Sequence, residues 1–333
     1  MHRPILTAAR RVRRKVWLLL VSLCLGLGAA TPAPAQAPAL RRPATEEPIT
    51  PIPAPPAQDP RRVALGELLF HDRRLSHDNS RSCSTCHDTR SNGASPRAHD
   101  LTPDGRPFAL TTPTIFNAAL SFRLNWEGNI RSFELECEEA LSNPDIMASS
   151  PDEILKKLRV DQRVVRQFRE IYGRQPDVAA LTDAMATYER SLLTPGSRFD
   201  LWLTGDAKAI SQQELAGYQL FKSLGCVSCH QGVNVGGNLY QRHGIFHPLA
   251  APKPEILRVP SLRNVATTAP YFHDGSAATL SDAVKAMGYA QLDVTLTGEQ
   301  TAAIVAFLGT LTGEYRDRPV ARATERPYSD TSP

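Results

Sequence analysis

The chain has 333 residues, 41% hydrophobic and 22% charged, with 7% aromatic and a formal net charge of +4. That length suits two modest domains with appendages, and the composition excludes a fibrous or disordered chain. Residues 1–35 hold six Lys/Arg and no Asp/Glu, so the remainder carries −2 and offers no basic field to a nucleic acid.

The leader "MHRPILTAARRVRRKVWLLLVSLCLGLGAATPAPAQA" joins a basic start to the apolar run Val16–Ala30 and small residues at Ala33 and Ala35. It is predicted to be a cleavable signal over 1–35 that sends the chain to the periplasm. The apolar run is shorter than the ~20 residues a spanning helix needs, so stable membrane insertion is not expected. Ten prolines in residues 31–60 predict an extended, solvated tether over 36–60.

Folded structure is expected from about Arg61. An N-terminal domain is placed at 61–200, a C-terminal domain at 201–315 and a tail at 316–333. "RRVALGELLFHD" sets Leu65, Leu68 and Leu69 at helical spacing ahead of "SCSTCHD", Ser82–Asp88. The Gly-, Pro-, Asp- and Ser-rich run from Asp88 to Thr112 is too long for a simple connection and is expected to lie over whatever that motif holds. Ser150, Pro151 and Glu153 open a helix with a reciprocal cap, and "DVAALTDAMATYERSLL" forms the next.

"SRFDLWLTGDAKAIS" reads as the crossover, after which "LAGYQLFKSLGCVSCH" repeats the order of helix and then Cys pair. Met287 stands late on a short helix capped by Thr279 or Ser281. The last helix has Thr297 and Gln300 as a capping box, Ile304, Phe307, Leu308 and Leu311 as its buried stripe, and Gly313 as its stop. Strand signals are scarce, so the fold class is all-α.

Two C-x-x-C-H units, Cys83/Cys86/His87 and Cys226/Cys229/His230, carry the chemistry. The spacing matches thiols added to two porphyrin vinyl groups, with the adjacent imidazole on iron. A zinc site would need ligands converging from distant segments, and a redox dithiol has no use for the trailing histidine. Two haem c cofactors follow. Each iron keeps one open face: a second strong ligand there makes an electron carrier, and an exchangeable position makes a site for oxygen or peroxide chemistry. Met287 is a candidate second ligand, with a gap-filling core role as the alternative.

The chain resembles the bacterial dihaem cytochrome c peroxidase family, which includes the MauG-like enzymes. The matching blocks are "LGELLFHDRRLS", "SCSTCHD", "TPTIFNAAL", "NWEGNIRSFELE", "SRFDLWLTGD", "GCVSCH", "VPSLRNVATTAPYFHDGS" and "AFLGTLTG". The resemblance implies two cytochrome c-like domains, each with one covalently attached haem c. It implies Met287, fourteen residues after His273, as second ligand to the C-terminal haem, where MauG itself carries a tyrosine. It implies Trp126 as the tryptophan lying between the haems; a core aromatic is the alternative. It also implies a calcium ion between domains, held by the Thr268 and Pro270 carbonyls, with Thr111 where the family has asparagine. His273 is expected near the interhaem region, where a structural hydrogen bond would explain it equally well.

Two departures matter. The loop histidine that blocks the N-terminal iron in some members falls at Pro103, which cannot ligate, and His99 would need a different loop path; an open N-terminal haem is therefore expected. The family glutamate of N-P-x-E-M falls at Ile146 in "NPDIM", beside Asp145. Loss of a positioned acid/base costs ~10² to 10⁴ in rate. Glu136, where the family usually has glutamine, is a candidate substitute, or else belongs to a charged helical face; Cys137 beside it has no family role.

The expected function is an oxidoreductase reducing hydrogen peroxide with electrons from a small cytochrome c or copper protein. The alternatives are a MauG-like enzyme that oxidises a partner protein with peroxide, and a non-catalytic dihaem electron-transfer protein. A homodimer is left open.

Overall fold

Asp59 and Pro60 start the first helix, α1 (Pro60–Phe70): the Asp59 carboxylate accepts the Arg61 N–H at 2.9 Å, and proline fills a first-turn position whose N–H would have no partner. The computed structural model describes residues 47–323; the expected signal, the start of the tether and residues 324–333 lie outside them. Four more helices complete the N-terminal half: α2 (Phe133–Ser142), α3 (Pro151–Val160), α4 (Gln162–Tyr172) and α5 (Val178–Ser191). Leu65, Leu69, Leu141, Ile154, Phe168, Leu181 and Met185 form its core. Leu68, on the outer side of α1, is exposed.

The C-terminal half is built from α6 (Arg198–Leu203), α7 (Gln212–Ser223), α8 (Leu280–Leu292) and α9 (Gly298–Gly309). Phe199, Tyr218, Phe221, Ile304 and Phe307 form its core. The same device joins the main helix pair of each half. A Cβ on Gly66 of α1 would lie 2.1 Å from the Ala184 carbonyl oxygen of α5, and one on Gly217 of α7 would lie 1.9 Å from that of Ala303 of α9. Only glycine permits this approach. Each of these glycines stands four residues before a buried phenylalanine, Phe70 and Phe221, so the repeat visible in the sequence is a repeat of packing.

Among the described residues, sheet is confined to two antiparallel ribbons, β1 (Tyr240–Arg242) with β2 (Ile256–Arg258), and β3 (Glu314–Tyr315) with β4 (Arg318–Pro319). The fold is mostly helical, as the sequence predicts.

Four local expectations are corrected. The end of the predicted solvated tether is docked: Ile49 is 0% exposed, pairs with Gly232 and joins the C-terminal core, while Glu47 accepts from Tyr218 and Lys222. Two isoleucines among the prolines supply the apolar area that holds it. The predicted tail begins in packed structure, with Arg316 paired to Glu67 at 2.6 Å and Val320 buried. Ser150 does cap α3, but Glu153 turns its carboxylate to Lys157 at 2.8 Å and His77 at 3.1 Å instead of back to the cap. Helix α9 ends at Gly309, and Gly313 instead makes room for the Thr194 carbonyl, which its Cβ would meet at 2.0 Å.

Candidate active site

Both C-x-x-C-H motifs open onto one continuous, mainly apolar cavity of about 830 Å³ that runs through both halves. Each motif forms a short 3₁₀ turn, Cys83–Thr85 and Cys226–Ser228. The following histidine closes the turn, the His87 N–H donating to the Cys83 carbonyl at 2.9 Å and the His230 N–H to that of Cys226 at 3.0 Å. Each imidazole then donates its Nδ1–H to a main-chain carbonyl, His87 to Gly93 at 3.2 Å and His230 to Val235 at 3.3 Å. With Nδ1 the donor, Nε2 keeps its lone pair for a metal. Burial lowers the pKa of both rings, that of His230 to about 4, so both stay neutral at ordinary pH.

Among the described residues no cysteine is in a disulfide, and no group of three or more His, Cys, Asp or Glu converges on a metal. Burial raises the Cys83 thiol to about 12 and that of Cys226 to about 11. A redox dithiol needs a lowered thiol pKa and a zinc site needs four convergent ligands. Paired protonated thiols beside a neutral imidazole on an apolar cavity wall fit a covalently attached porphyrin.

Residues 60–208 match the di-haem cytochrome c peroxidase family model, and residues 215–312 match the cytochrome c family model. The chain is 37% identical over 290 residues to cytochrome c551 peroxidase of Nitrosomonas europaea, covering 82% of this chain and 86% of that one. The chain belongs to the dihaem cytochrome c peroxidase family. It is an oxidoreductase with two haem c groups. It is also 28% identical over 290 residues to methylamine utilization protein MauG of Methylorubrum extorquens, covering 79% and 82%. The crystal structure of a MauG-like protein associated with microbial copper homeostasis shares the fold, with TM-score 0.69 at 24% identity over 84% of this chain and 96% of that one.

In this dihaem peroxidase-family chain, Trp126 sits in a tight turn closed by the Leu124 N–H to the Ile130 carbonyl at 3.0 Å. Its indole Nε1–H donates to the Thr111 carbonyl at 2.8 Å. The C-terminal half pins this turn from outside: the Arg258 N–H of β2 donates to the Trp126 carbonyl at 2.9 Å, and the Tyr240 hydroxyl of β1 to that of Gly128. The Trp126 ring meets His273 edge-on at 6.4 Å, and His273 meets His243 at 4.6 Å, so a line of π-systems runs along the cavity wall between the halves. His273 also has the structural bond that was the other reading, to the Ala251 carbonyl at 3.1 Å. Met287, on α8, borders the same cavity as His230.

The cavity is also bordered by Glu136, Cys137 and Ile146, and Cys83 packs against the core cluster that holds Cys137. Pro103 lies in an exposed turn, and neither it nor His99 borders the cavity. Asp145 points away to an ion pair with Arg106 at 3.0 Å. Burial, with the Glu139 charge adding to it, raises Glu136 to about 7, and its enclosed Oε2 has no hydrogen-bond partner. Glu189 on α5 is the residue that the sequence reading missed. It borders the same cavity, accepts from the Cys137 thiol at 3.7 Å, and is raised to about 8 by burial and then by Glu136. Its signal was a Glu four residues after buried Met185, on the apolar face of α5.

Proposed function

We propose that this chain reduces hydrogen peroxide to water in the periplasm, with electrons from a small cytochrome c or copper protein. The observation that carries this reading is the make-up of the cavity wall, which neither His99 nor Pro103 reaches and a carboxyl, Glu136, does. When bound, the haems supply iron for two-electron reduction of the peroxide bond and for one-electron transfer between the sites. The protein residues would do the rest. His87 and His230 hold their Nε2 atoms toward the metals, and Met287 provides a thioether as second ligand to the C-terminal haem. Trp126, tied to both halves, lies on the electron path. Glu136 takes and returns a proton beside the peroxide site.

Mixing the dihaem protein with peroxide and a reduced small cytochrome tests this directly. Rapid donor oxidation is expected. A species that persists until a partner protein is oxidised would favour the MauG-like reading, for which the open N-terminal site speaks, and inertness to peroxide, which Ile146 would permit, would leave only electron transfer.

Calcium fits the residues poorly. The Thr111 carbonyl already accepts from Trp126, its hydroxyl donates to the Phe272 carbonyl at 3.3 Å, and Thr268 and Pro270 bring no carboxylate, whereas calcium takes 6–8 oxygens, usually with carboxylates among them. No step is assigned to it.

A further inference from the structure

We infer that Glu136 and Glu189 hold one proton between them beside the peroxide site, Glu136 acting as catalytic acid and base where Ile146 has no proton to give, and Glu189 as its positioning partner and the keeper of that proton. This rests on the peroxidase reading for its chemistry, though not for the shared proton itself.

The geometry is that of two carboxyls on packed helices, α2 and α5, both bordering the cavity, with Glu189 near Cys83, and with Cys137 between the two carboxyls. Glu136 Oε2 is enclosed without a partner. The cation nearest Glu189 in sequence, Arg190, is paired with Glu134 and lies 5.9 Å from the centre of the Phe133 ring. The charge acting on Glu136 is that of Glu139 on its own helix. The groups acting on Glu189 are Glu136, Cys137 and Glu134 on α2, and Arg190 on α5. Cys137 stays protonated, because burial raises its thiol. Apart from Arg190, which is committed to Glu134, no cation among the described residues acts on either carboxyl, so one proton stays bound in these apolar surroundings.

Breaking a peroxide bond needs a group that takes and returns a proton. Glu136 accepts the proton of one peroxide oxygen and returns it to the other, which leaves as water when the O–O bond breaks. Two electrons from the reduced donor and two protons from solvent complete the balance, H2O2 + 2 e⁻ + 2 H⁺ giving two waters. Glu189 keeps the pair's proton so that ionised Glu136 is free to accept and return that of the peroxide, and Cys137 donates to Glu189 and orients it. Both carboxyls titrate near neutral pH, where acid and base forms are both at hand.

Infrared titration of the dihaem protein between about pH 5 and 9 tests the shared proton without using activity. A protonated-carboxyl band persisting to near-neutral pH is expected. It should weaken in Glu136→Gln and in Glu189→Gln, and the remaining carboxyl of each variant should titrate lower than in the wild type. Loss of the band below about pH 5, or unchanged titration in either variant, overturns the pair. In turnover, Glu136→Gln should lose about 10² to 10⁴-fold, and Ile146→Glu in that background should recover much of it. Glu189→Gln, or Glu189→Asp if the amide folds poorly, should move the alkaline limb of the pH profile to lower pH. Wild-type turnover by Glu136→Gln overturns the catalytic assignment. A wild-type protein inert to peroxide defeats the peroxidase reading, while the infrared titration still decides the pair.

Discussion

His87 and His230 each direct Nδ1 to a main-chain carbonyl within six residues, so the tautomer that leaves Nε2 free to bind a metal is set within the loop that follows each motif. Met287 has no such local support and is the residue to test. Met287→Ala should leave both haems attached and lower the reduction potential of the C-terminal haem, read by redox titration, because an axial thioether favours reduced iron. Glu136 and Glu189 make a second prediction. Their folded pKa values, about 7 and about 8, lie above the usual ~4.3, so folding takes up protons between those limits. Their contribution to stability is therefore fully present below about pH 4 and is lost as pH rises through 7 and 8. Melting temperatures should fall across that window, and the Glu136→Gln/Glu189→Gln double variant should flatten the slope. Of these residues, the histidines were legible from their place in C-x-x-C-H. Glu189 was not, because what makes it unusual is Glu136, 53 positions away and on another helix.

Helix ends were legible wherever the cap is local. Thr297 and Gln300 form the expected box on α9, and Thr279 caps α8 by accepting the Asp282 N–H. The α3 cap was half legible. Ser150 acts within its own turn, but Glu153 had two partners to choose from that the motif could not reveal. Helix pairing was legible only as a sequence repeat whose meaning lies in Gly66 and Gly217. Gly217→Ala should force α7 and α9 apart and cost about 1–3 kcal/mol in denaturant unfolding, since the obstacle is a backbone carbonyl that no rotamer change can move.

Across the molecule, segments far apart in the chain close both the core and the site. Arg263, 1% exposed, binds Asp200 of α6 at 2.8 Å, the Val233 carbonyl after the second motif at 2.9 Å and the Thr50 carbonyl at 2.8 Å. Arg263→Leu leaves a buried Asp200 charge unpaired and should cost about 3–5 kcal/mol, measured by the unfolding midpoint. Ile49→Ala, where the chain from the proline-rich region enters the C-terminal core, should cost about 2–5 kcal/mol by the same measure. The amino-acid sequence alone determined what short-range chemistry can encode: helices with their caps, and two thiol pairs each followed by an imidazole, hence two haems. Tertiary structure alone decided which side chains share the enclosed space around them: Ile49 in a core, Trp126 held by the opposite half, and two carboxyls beside one motif. The cost of burying a charge depends on every group brought near it, and those neighbours exist only once the chain has folded.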